Sequence, residues 1–116
     1  MTDIIRIECG PRMSQAVIHN GIVYLSGLVG GFGESVSAQT KAVLAEVDRL
    51  LAAAGTDKTR ILTTQVWLAD VADFAEMNTA WDVWVPQGQC PARWTGETKP
   101  AAPGYKIEIT VTAAVA

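Results

Sequence analysis

The sequence predicts an α+β fold, in which one mostly antiparallel sheet of about six strands carries two helices on one face. Two stretches place apolar residues at helical spacing, and about six short apolar stretches are separated by turn residues. Most predicted strands also follow one another directly in sequence, which favours antiparallel neighbours. The 116 residues suffice for one hydrophobic core but not for two, so we expect a single domain over residues 1–116.

The first three predicted strands form a meander. Residues 4–7 and 13–18 have strand-like apolar patterns, and the Gly-Pro pair at 10–11 separates them. The His-Asn-Gly sequence at 19–21 predicts a tight turn, since asparagine and glycine both tolerate positive φ. We therefore expect the second strand to pair antiparallel with residues 22–26, and we place the single histidine in the turn.

A glycine-rich segment and a helix follow. Residues 27–33 lack the spacing of a phosphate-binding loop, so we expect a flexible connection. The helix begins at Ser35 or Ser37, and Gly55 supplies its C-terminal cap. Its buried face is an apolar stripe at the spacing i, i+3, i+4 and i+7. The stripe consists of Val43, Leu44, Val47, Leu50, Leu51 and Ala54.

A strand and a second helix come next. Residues 61–68 are predicted to form a strand with one apolar and one semi-polar face. The semi-polar face carries Thr63, Gln65 and Trp67. The second helix begins at about Asp70 or Asp73 and ends before Pro86. We assign its apolar stripe to the core or an interface, and the stripe comprises Phe74, Met77, Trp81, Trp84 and Val85.

The last two predicted strands, residues 93–98 and 105–115, flank a Pro/Gly turn and place Arg93 and Glu108 on neighbouring segments. The arginine presents a planar fork of donors that matches a carboxylate, and the glutamate can accept a proton. The pair therefore suggests a site for a small substrate that bears a carboxylate. The alternative is a solvated cross-strand salt bridge in a hairpin, worth roughly 0 to 1 kcal/mol.

Alternation along these strands assigns their side chains to faces. Thr95 shares the face of Arg93, whereas Trp94 points the opposite way and is assigned to core packing. Glu108 and Thr110 point away from the core that the helices cover. This second sheet face is too mixed for a core and too apolar for solvent, so we expect it to contact another subunit.

Composition limits the possible partners. Hydrophobic residues make up 49% of the chain and charged residues only 18%, against about 25% in an average domain. The net charge of −3 argues against a nucleic-acid partner, because phosphate binding requires clustered lysine and arginine. Cys9, Cys90 and the lone histidine give no metal-site spacing. No apolar stretch approaches the roughly 18 residues of a membrane span, so we expect a cytoplasmic protein.

Segments spread over nearly all of the sequence resemble the Rid family of imine and enamine deaminases, also called the YjgF or L-PSP family. The most specific matching segments are Pro91-Ala92-Arg93 and Lys106-Ile107-Glu108-Ile109. The other matching segments are residues 22–27, 38–40, 53–55, 61–70 and 73–78. They occur in the order in which the family has them.

The resemblance implies a chorismate mutase-like fold and a homotrimer with a substrate cleft between adjacent subunits. It implies hydrolysis of reactive 2-imino acids or enamines to 2-keto acids and ammonia, a metabolite damage control reaction that needs neither a metal nor an organic cofactor. In this scheme Arg93 binds the substrate carboxylate and Glu108 positions the water. Five further residues would bind substrate, namely Met13, Ser26, Gly27, Asn78 and Thr95.

Two departures from the family pattern leave alternatives open. Met13 takes the place of a tyrosine that usually lines the site, and Leu28 stands where the family usually has glutamine. The chain could therefore be a module that binds small carboxylates without turning them over. Endoribonuclease activity is a less favoured alternative, because the chain is acidic and its one histidine has no partner for acid–base work.

Overall fold

The computed structural model describes residues 3–115. Its strands are β1 (Ile5–Cys9), β2 (Ser14–His19), β3 (Ile22–Leu25), β4 (Ile61–Leu68), β5 (Ala92–Glu97) and β6 (Ile107–Ala114). Its helices are α1 (Val36–Ala53) and α2 (Phe74–Trp84), and short 3-10 turns cover Lys58–Arg60 and Val71–Asp73. None of the helices in this range is long and apolar enough to cross a membrane.

The strands form one sheet in the order β1-β2-β3-β6-β4-β5. Every neighbouring pair is antiparallel except β4 and β5, which run parallel. The predicted α+β class, with a mostly antiparallel six-stranded sheet and two helices, is confirmed.

The turn between β2 and β3 follows the predicted chemistry. Asn20 and Gly21 have φ angles of 52° and 78°, which are the positive values that a type I′ turn requires. His19 does not lie in the turn, because it is the last residue of β2 and pairs with Ile22. The hairpin is therefore one residue tighter than predicted, and its register places Ala16 of β2 in the core.

Helix α1 begins and ends as its sequence predicts. Ser35 is the N-cap, and its hydroxyl accepts a hydrogen bond from the Ala38 N–H at 3.1 Å. Gly55 follows the last helical turn with a φ of 83°, a conformation that costs other residues more. These two signals determine where α1 begins and ends in the sequence.

The core lies between the helices and one face of the sheet. Leu44, Leu50 and Leu51 of α1 and Ile107 and Ile109 of β6 are almost completely buried there. Burying each of these side chains contributes about 1.5 to 3 kcal/mol, so the amphipathic pattern accounts for the two-layer arrangement. We call the opposite sheet face the open face. It carries Tyr24, Gln65, Trp67, Trp94, Glu108 and Thr110.

Trp94 is a correction to the predicted core. It is 54% exposed on the open face, where its ring meets that of Trp67 edge to face at 4.9 Å between centroids. Gly96, two residues further along β5, leaves room for the Trp94 ring. The assignment of Trp94 to core packing is therefore wrong.

The last two strands differ most from the prediction. Strand β5 pairs with β4 and not with β6, so β4 lies between the strands that carry Arg93 and Glu108. The connection from β5 to β6 therefore passes across β4 and does not form a hairpin. The expectation that the arginine and the glutamate lie on neighbouring strands is wrong.

The segment 27–33 is tied to the sheet and is not a free loop. Leu28 and Ile109 exchange two backbone hydrogen bonds, at 2.8 and 3.0 Å. At the other end, the Gly33 N–H donates to the Gly104 carbonyl at 3.1 Å. The prediction of a flexible connection therefore does not describe this segment.

Candidate functional site

Helix α2 holds the guanidinium of Arg93 in one orientation. Arg93 Nη1 donates a hydrogen bond to Asn78 Oδ1 at 2.8 Å. The guanidinium also lies 5.1 Å from the ring centroid of Trp81 and 5.8 Å from that of Phe74. The three α2 residues share one helix face because they occur at the spacing i−4, i and i+3. This combination fixes a cation that would otherwise sample many rotamers.

Arg93 has no acidic partner within residues 3–115, where the two ion pairs both involve Arg49. The predicted alternative, a salt bridge between Arg93 and Glu108, is therefore wrong. The contact with Asn78 is neutral, so the guanidinium keeps its charge and most of its five donors for another group.

Thr95 lies on the same face of β5 as Arg93. Its partner in β4 is Val66, while the partner of Arg93 is Thr64, and both β4 residues are buried. The Thr95 hydroxyl is buried and bonds to none of the described residues. Buried hydroxyls normally have a partner, so this hydroxyl and that of Thr64, which pairs with Arg93, are two exceptions close to the arginine. Arg93, Asn78 and Thr95 together form the arginine half-site.

Glu108 lies on the open face, opposite Trp67 in the register of β4 and β6. A Cβ atom at Gly27 would collide with Glu108 Oε2, so the carboxylate rests directly against the Gly27 backbone. Only glycine permits this approach. The fold therefore brings the Glu108 carboxylate into contact with backbone that no side chain covers at Gly27.

A bulge aims the Gly27 backbone at the glutamate. The register between β3 and β6 shifts by one residue between the Tyr24↔Thr112 and Leu28↔Ile109 pairs. Inside this bulge, the Thr110 hydroxyl lies 2.9 Å from the carbonyl of Leu25 and 3.2 Å from that of Ser26.

Ser26 has a second contact through its side chain. Its hydroxyl donates to Gln15 Oε1 at 3.0 Å, which joins the bulge to strand β2. Ser26, Gly27 and Glu108 together form the glutamate half-site.

Met13 lies next to this half-site. It and Gly27 line a surface cavity of about 420 Å³, and Met13 is 48% exposed. Arg49 lies at the same cavity and bonds to both Glu8 and Glu46. Hydrogen bonds from Arg49 lower the pKa of each of these carboxyls below its ordinary value. The cavity thus has an ionic wall on the side of α1.

The two half-sites do not meet within one chain. They lie on opposite faces of the sheet, and strand β4 separates their strands. The arginine and the glutamate are also about three residues apart along β4, or roughly 10 Å. The structure thus brings together Arg93 with Asn78 and Thr95, and Glu108 with Ser26 and Gly27, as two separate groups.

Several contributing residues were not recognised in the sequence as part of a site. Trp81 and Phe74 were assigned to the core or an interface, and Trp81 does lie in the core. Their helical spacing from Asn78 also places all three on one face, which the sequence analysis did not use. Thr110 was assigned to a face but given no role. Its function as a hydroxyl that serves two carbonyls of a bulge has no signal in the sequence.

Comparison with known proteins identifies relatives that align along most of the chain. The sequence profile of the family described as Endoribonuclease L-PSP matches residues 6–115. A RutC family protein from Haemophilus ducreyi is 46% identical over 114 residues, 97% of each chain. A YjgF family protein of known structure from Neisseria meningitidis is 44% identical and has a TM-score of 0.96, covering 98% of this chain and 96% of its own. A Rattus norvegicus protein named 2-iminobutanoate/2-iminopropanoate deaminase is 34% identical over 107 residues, 86% of this chain and 77% of its own.

Proposed function

Because the chain belongs to the Rid family, also called the YjgF or L-PSP family, we propose that it is a cytoplasmic deaminase. Its substrates are reactive 2-imino acids or their enamine tautomers, which it hydrolyses to 2-keto acids and ammonia. The observation that carries this proposal is Arg93, an oriented guanidinium without an acidic partner in residues 3–115. Such a group suits the carboxylate that every 2-imino acid bears. The name of the rat relative supports the same reaction class.

The active site forms between copies of the chain. The arginine half-site of one subunit faces the glutamate half-site of the next, and the assembly is a homotrimer. Two observations support this arrangement: the half-sites are separated within one chain, and the open face exposes Trp94 and Tyr24. Exposed aromatic residues of this size are typical of surfaces that a partner covers.

In the proposed mechanism each half-site has its own task. Arg93, held by Asn78, binds the substrate carboxylate, and Thr95 contacts the bound molecule beside it. Ser26, Gly27 and Met13 line the part of the cleft that receives the imine. This arrangement holds the imine carbon in place for attack, and positioning of this kind is a large source of rate enhancement.

Glu108 positions the water and accepts one of its protons as the oxygen attacks the imine carbon. The C–N double bond becomes a single bond and a tetrahedral carbinolamine forms. The proton then passes from Glu108 to the nitrogen, the C–N bond breaks as Glu108 takes up the proton of the carbinolamine hydroxyl, and the C–O bond becomes the carbonyl of the 2-keto acid. Release of this proton to solvent restores the carboxylate. Ammonia is the leaving group. The protonated imine is already electrophilic, so the reaction requires positioning and one proton carrier.

The direct test generates 2-imino acids in situ, by oxidation of several amino acids with an amino acid oxidase. Release of ammonia or keto acid is then followed with and without the protein. We expect the protein to accelerate release beyond the spontaneous rate. A rate that stays at the spontaneous value with every imine would contradict the deaminase proposal.

A second candidate function is a module that binds small carboxylates without turning them over. Met13 favours it, because its thioether supplies no hydroxyl to the cleft where the family usually has tyrosine. Pyruvate binding measured by calorimetry separates the two functions: binding without accelerated hydrolysis supports the module. The net charge of −3 favours either small-molecule function over cleavage of RNA.

A further inference from the structure

Gln39 of α1 is a buried amide outside both half-sites. It is 0% exposed, which is rare for so polar a side chain. Its Nε2 donates to the carbonyls of Glu34 at 3.0 Å and Gly104 at 2.9 Å. Its Oε1 accepts a hydrogen bond from the Lys106 N–H at 2.8 Å. Both amide donors are therefore used, and all three partners are backbone groups of loops.

These bonds fix the start of the strand that carries the glutamate. Lys106 lies two residues before Glu108, and its carbonyl accepts a hydrogen bond from the Ala69 N–H at 2.9 Å. Gln39 therefore holds the N–H of Lys106, while Ala69, which follows β4, holds its carbonyl. Without the amide, the Lys106 N–H would lose the only partner that it has among residues 3–115.

The same residue also holds the segment that follows Gly27, through its amide bond to the Glu34 carbonyl and through close packing. Gly31 has a φ of 62°, and a Cβ atom there would lie 3.2 Å from the Gln39 Cα, so this loop packs directly on the glutamine backbone. The Phe32 ring covers Gly104, where a Cβ atom would lie 2.7 Å from it. One side chain thus joins the two segments that meet where the glutamate carboxylate rests on Gly27.

We infer that Gln39 is a positioning residue, which holds the Glu108 carboxylate in register with the Gly27 backbone. This inference rests on the proposed function of Glu108. The hydrogen bonds of Gln39 go neither to the glutamate side chain nor to the arginine half-site, so its loss should impair the attack of water and leave carboxylate binding intact. Misplacement of a reacting group by about 1 Å can cost roughly a hundredfold in rate.

The principal variant is Gln39→Met, which keeps the length of the side chain and removes all three hydrogen bonds. We expect kcat to fall about tenfold to a hundredfold while KM changes less than about threefold. Gln39→Glu serves as the second variant if Gln39→Met does not fold, since it keeps the acceptor for Lys106 and loses the neutral donors. It should also lower kcat.

Thr40→Val is the matched control. Thr40 is the next residue of α1 and is also 0% exposed. Within residues 3–115 its hydroxyl bonds only to the carbonyl of Val36 in its own helix, at 2.6 Å. Its replacement costs a buried hydrogen bond without touching either loop. We expect Thr40→Val to lower the unfolding midpoint and leave kcat unchanged.

A double-mutant cycle tests whether Gln39 acts through the glutamate. In a Glu108→Gln background, Gln39→Met should lower kcat by less than about twofold more, because the group that it positions is already gone. The ¹³C chemical shift of the Glu108 carboxyl should change in Gln39→Met and not in Thr40→Val. Three results would each overturn the inference: a folded Gln39→Met variant with wild-type kcat, kcat losses that multiply in the double variant, or an unchanged carboxyl shift.

If the wild-type protein hydrolyses no imine, the proposed function is refuted. The carboxyl shift still tests whether Gln39 positions Glu108, because it does not depend on turnover.

Discussion

Arg93 and Glu108 differ in how the chain supports them. The arginine is held by side chains of α2, through one hydrogen bond and two aromatic rings. The glutamate instead rests on backbone, at a place where only glycine fits. Under the proposed mechanism, a change at Arg93 therefore tests the substrate-binding contact and a change at Glu108 tests the proton carrier, with little overlap between the two.

We predict that Arg93→Ala abolishes measurable imine hydrolysis and that Arg93→Lys restores little of it. An ammonium cannot reproduce the planar fork, and losing a charge-assisted contact of about 1.5 to 3 kcal/mol weakens substrate binding roughly tenfold to a hundredfold. Steady-state kinetics with in situ imines measures the effect. Arg60→Ala, which removes an exposed arginine elsewhere, is the control for charge. Unchanged kcat/KM in Arg93→Ala would show that the arginine is structural.

We predict that Glu108→Gln lowers kcat by about 10² to 10⁴ and leaves pyruvate binding intact. The amide keeps the shape of the side chain against Gly27 but cannot accept the proton of water. Glu97→Gln is the control, because the Glu97 carboxylate accepts a hydrogen bond from the Val71 N–H at 2.7 Å, which an amide oxygen can also accept. Turnover equal to the wild type in Glu108→Gln would exclude a role as general base.

At the scale of elements, the local signals in the sequence predicted most of the secondary structure. Strand β4 was predicted with its observed bounds, Ile61–Leu68. The serine N-cap and the glycine after α1 were also predicted correctly, since capping depends on residues within one helical turn. The pairing of β2 with β3 was also predicted correctly, because the Asn-Gly turn between them is a local signal as well.

The pairing of β5 could not be predicted from these signals. A Pro/Gly turn between two strands looks like a hairpin, whereas β5 pairs in parallel with β4 after the crossover through α2. That choice depends on where α2 packs, which is a tertiary effect. This error changed the expected site. The sequence analysis placed Arg93 and Glu108 on neighbouring strands, whereas β4 separates their strands and the two side chains lie on opposite faces of the sheet. The contact between Gly27 and Glu108 was also beyond sequence reasoning, because it depends on a bulge.

The Arg49 network joins β1 to α1, and it gives a pH-dependent prediction. Arg49 lowers the pKa of Glu8 and Glu46 below the ordinary value of 4.5. A carboxyl with a depressed folded-state pKa contributes stability above its unfolded pKa and loses it as pH falls through the folded value. We predict that Arg49→Gln has a lower urea midpoint than the wild type at pH 7 and that the difference shrinks below about pH 4.

Both carboxyls are exposed, so the expected effect on the midpoint is small. Arg49→Lys is the matched variant, which keeps the charge and loses the bidentate contacts with Glu8 at 2.6 and 3.1 Å. It should lie between the wild type and Arg49→Gln at pH 7. A midpoint difference that stays the same from pH 7 to pH 3 would show that Arg49 acts through packing instead.

At the scale of the whole molecule, the proposed function makes the open face the link between assembly and activity. This face exposes aromatic side chains, and under the proposal the two half-sites meet only when another copy of the chain packs there. A cyclic trimer would create three equivalent clefts, each with an arginine half-site from one chain and a glutamate half-site from the next. Assembly and catalysis would then fail together if the open face were disrupted.

We predict that mixed trimers of Arg93→Ala and Glu108→Gln chains recover activity that neither variant has alone. Trimers purified through both tags contain both variants, so in a cyclic trimer about one cleft in three receives the intact arginine from one chain and the intact glutamate from its neighbour. The two chains are co-expressed with different tags and purified through both, and light scattering should give three times the 12.4 kDa of one chain. The control uses the two variants purified separately. They are mixed just before the assay, at a temperature at which the trimers do not exchange subunits. If the mixed trimers hydrolyse imines no faster than the separate variants, each site lies within a single chain, and the assignment of the two half-sites to different subunits is wrong.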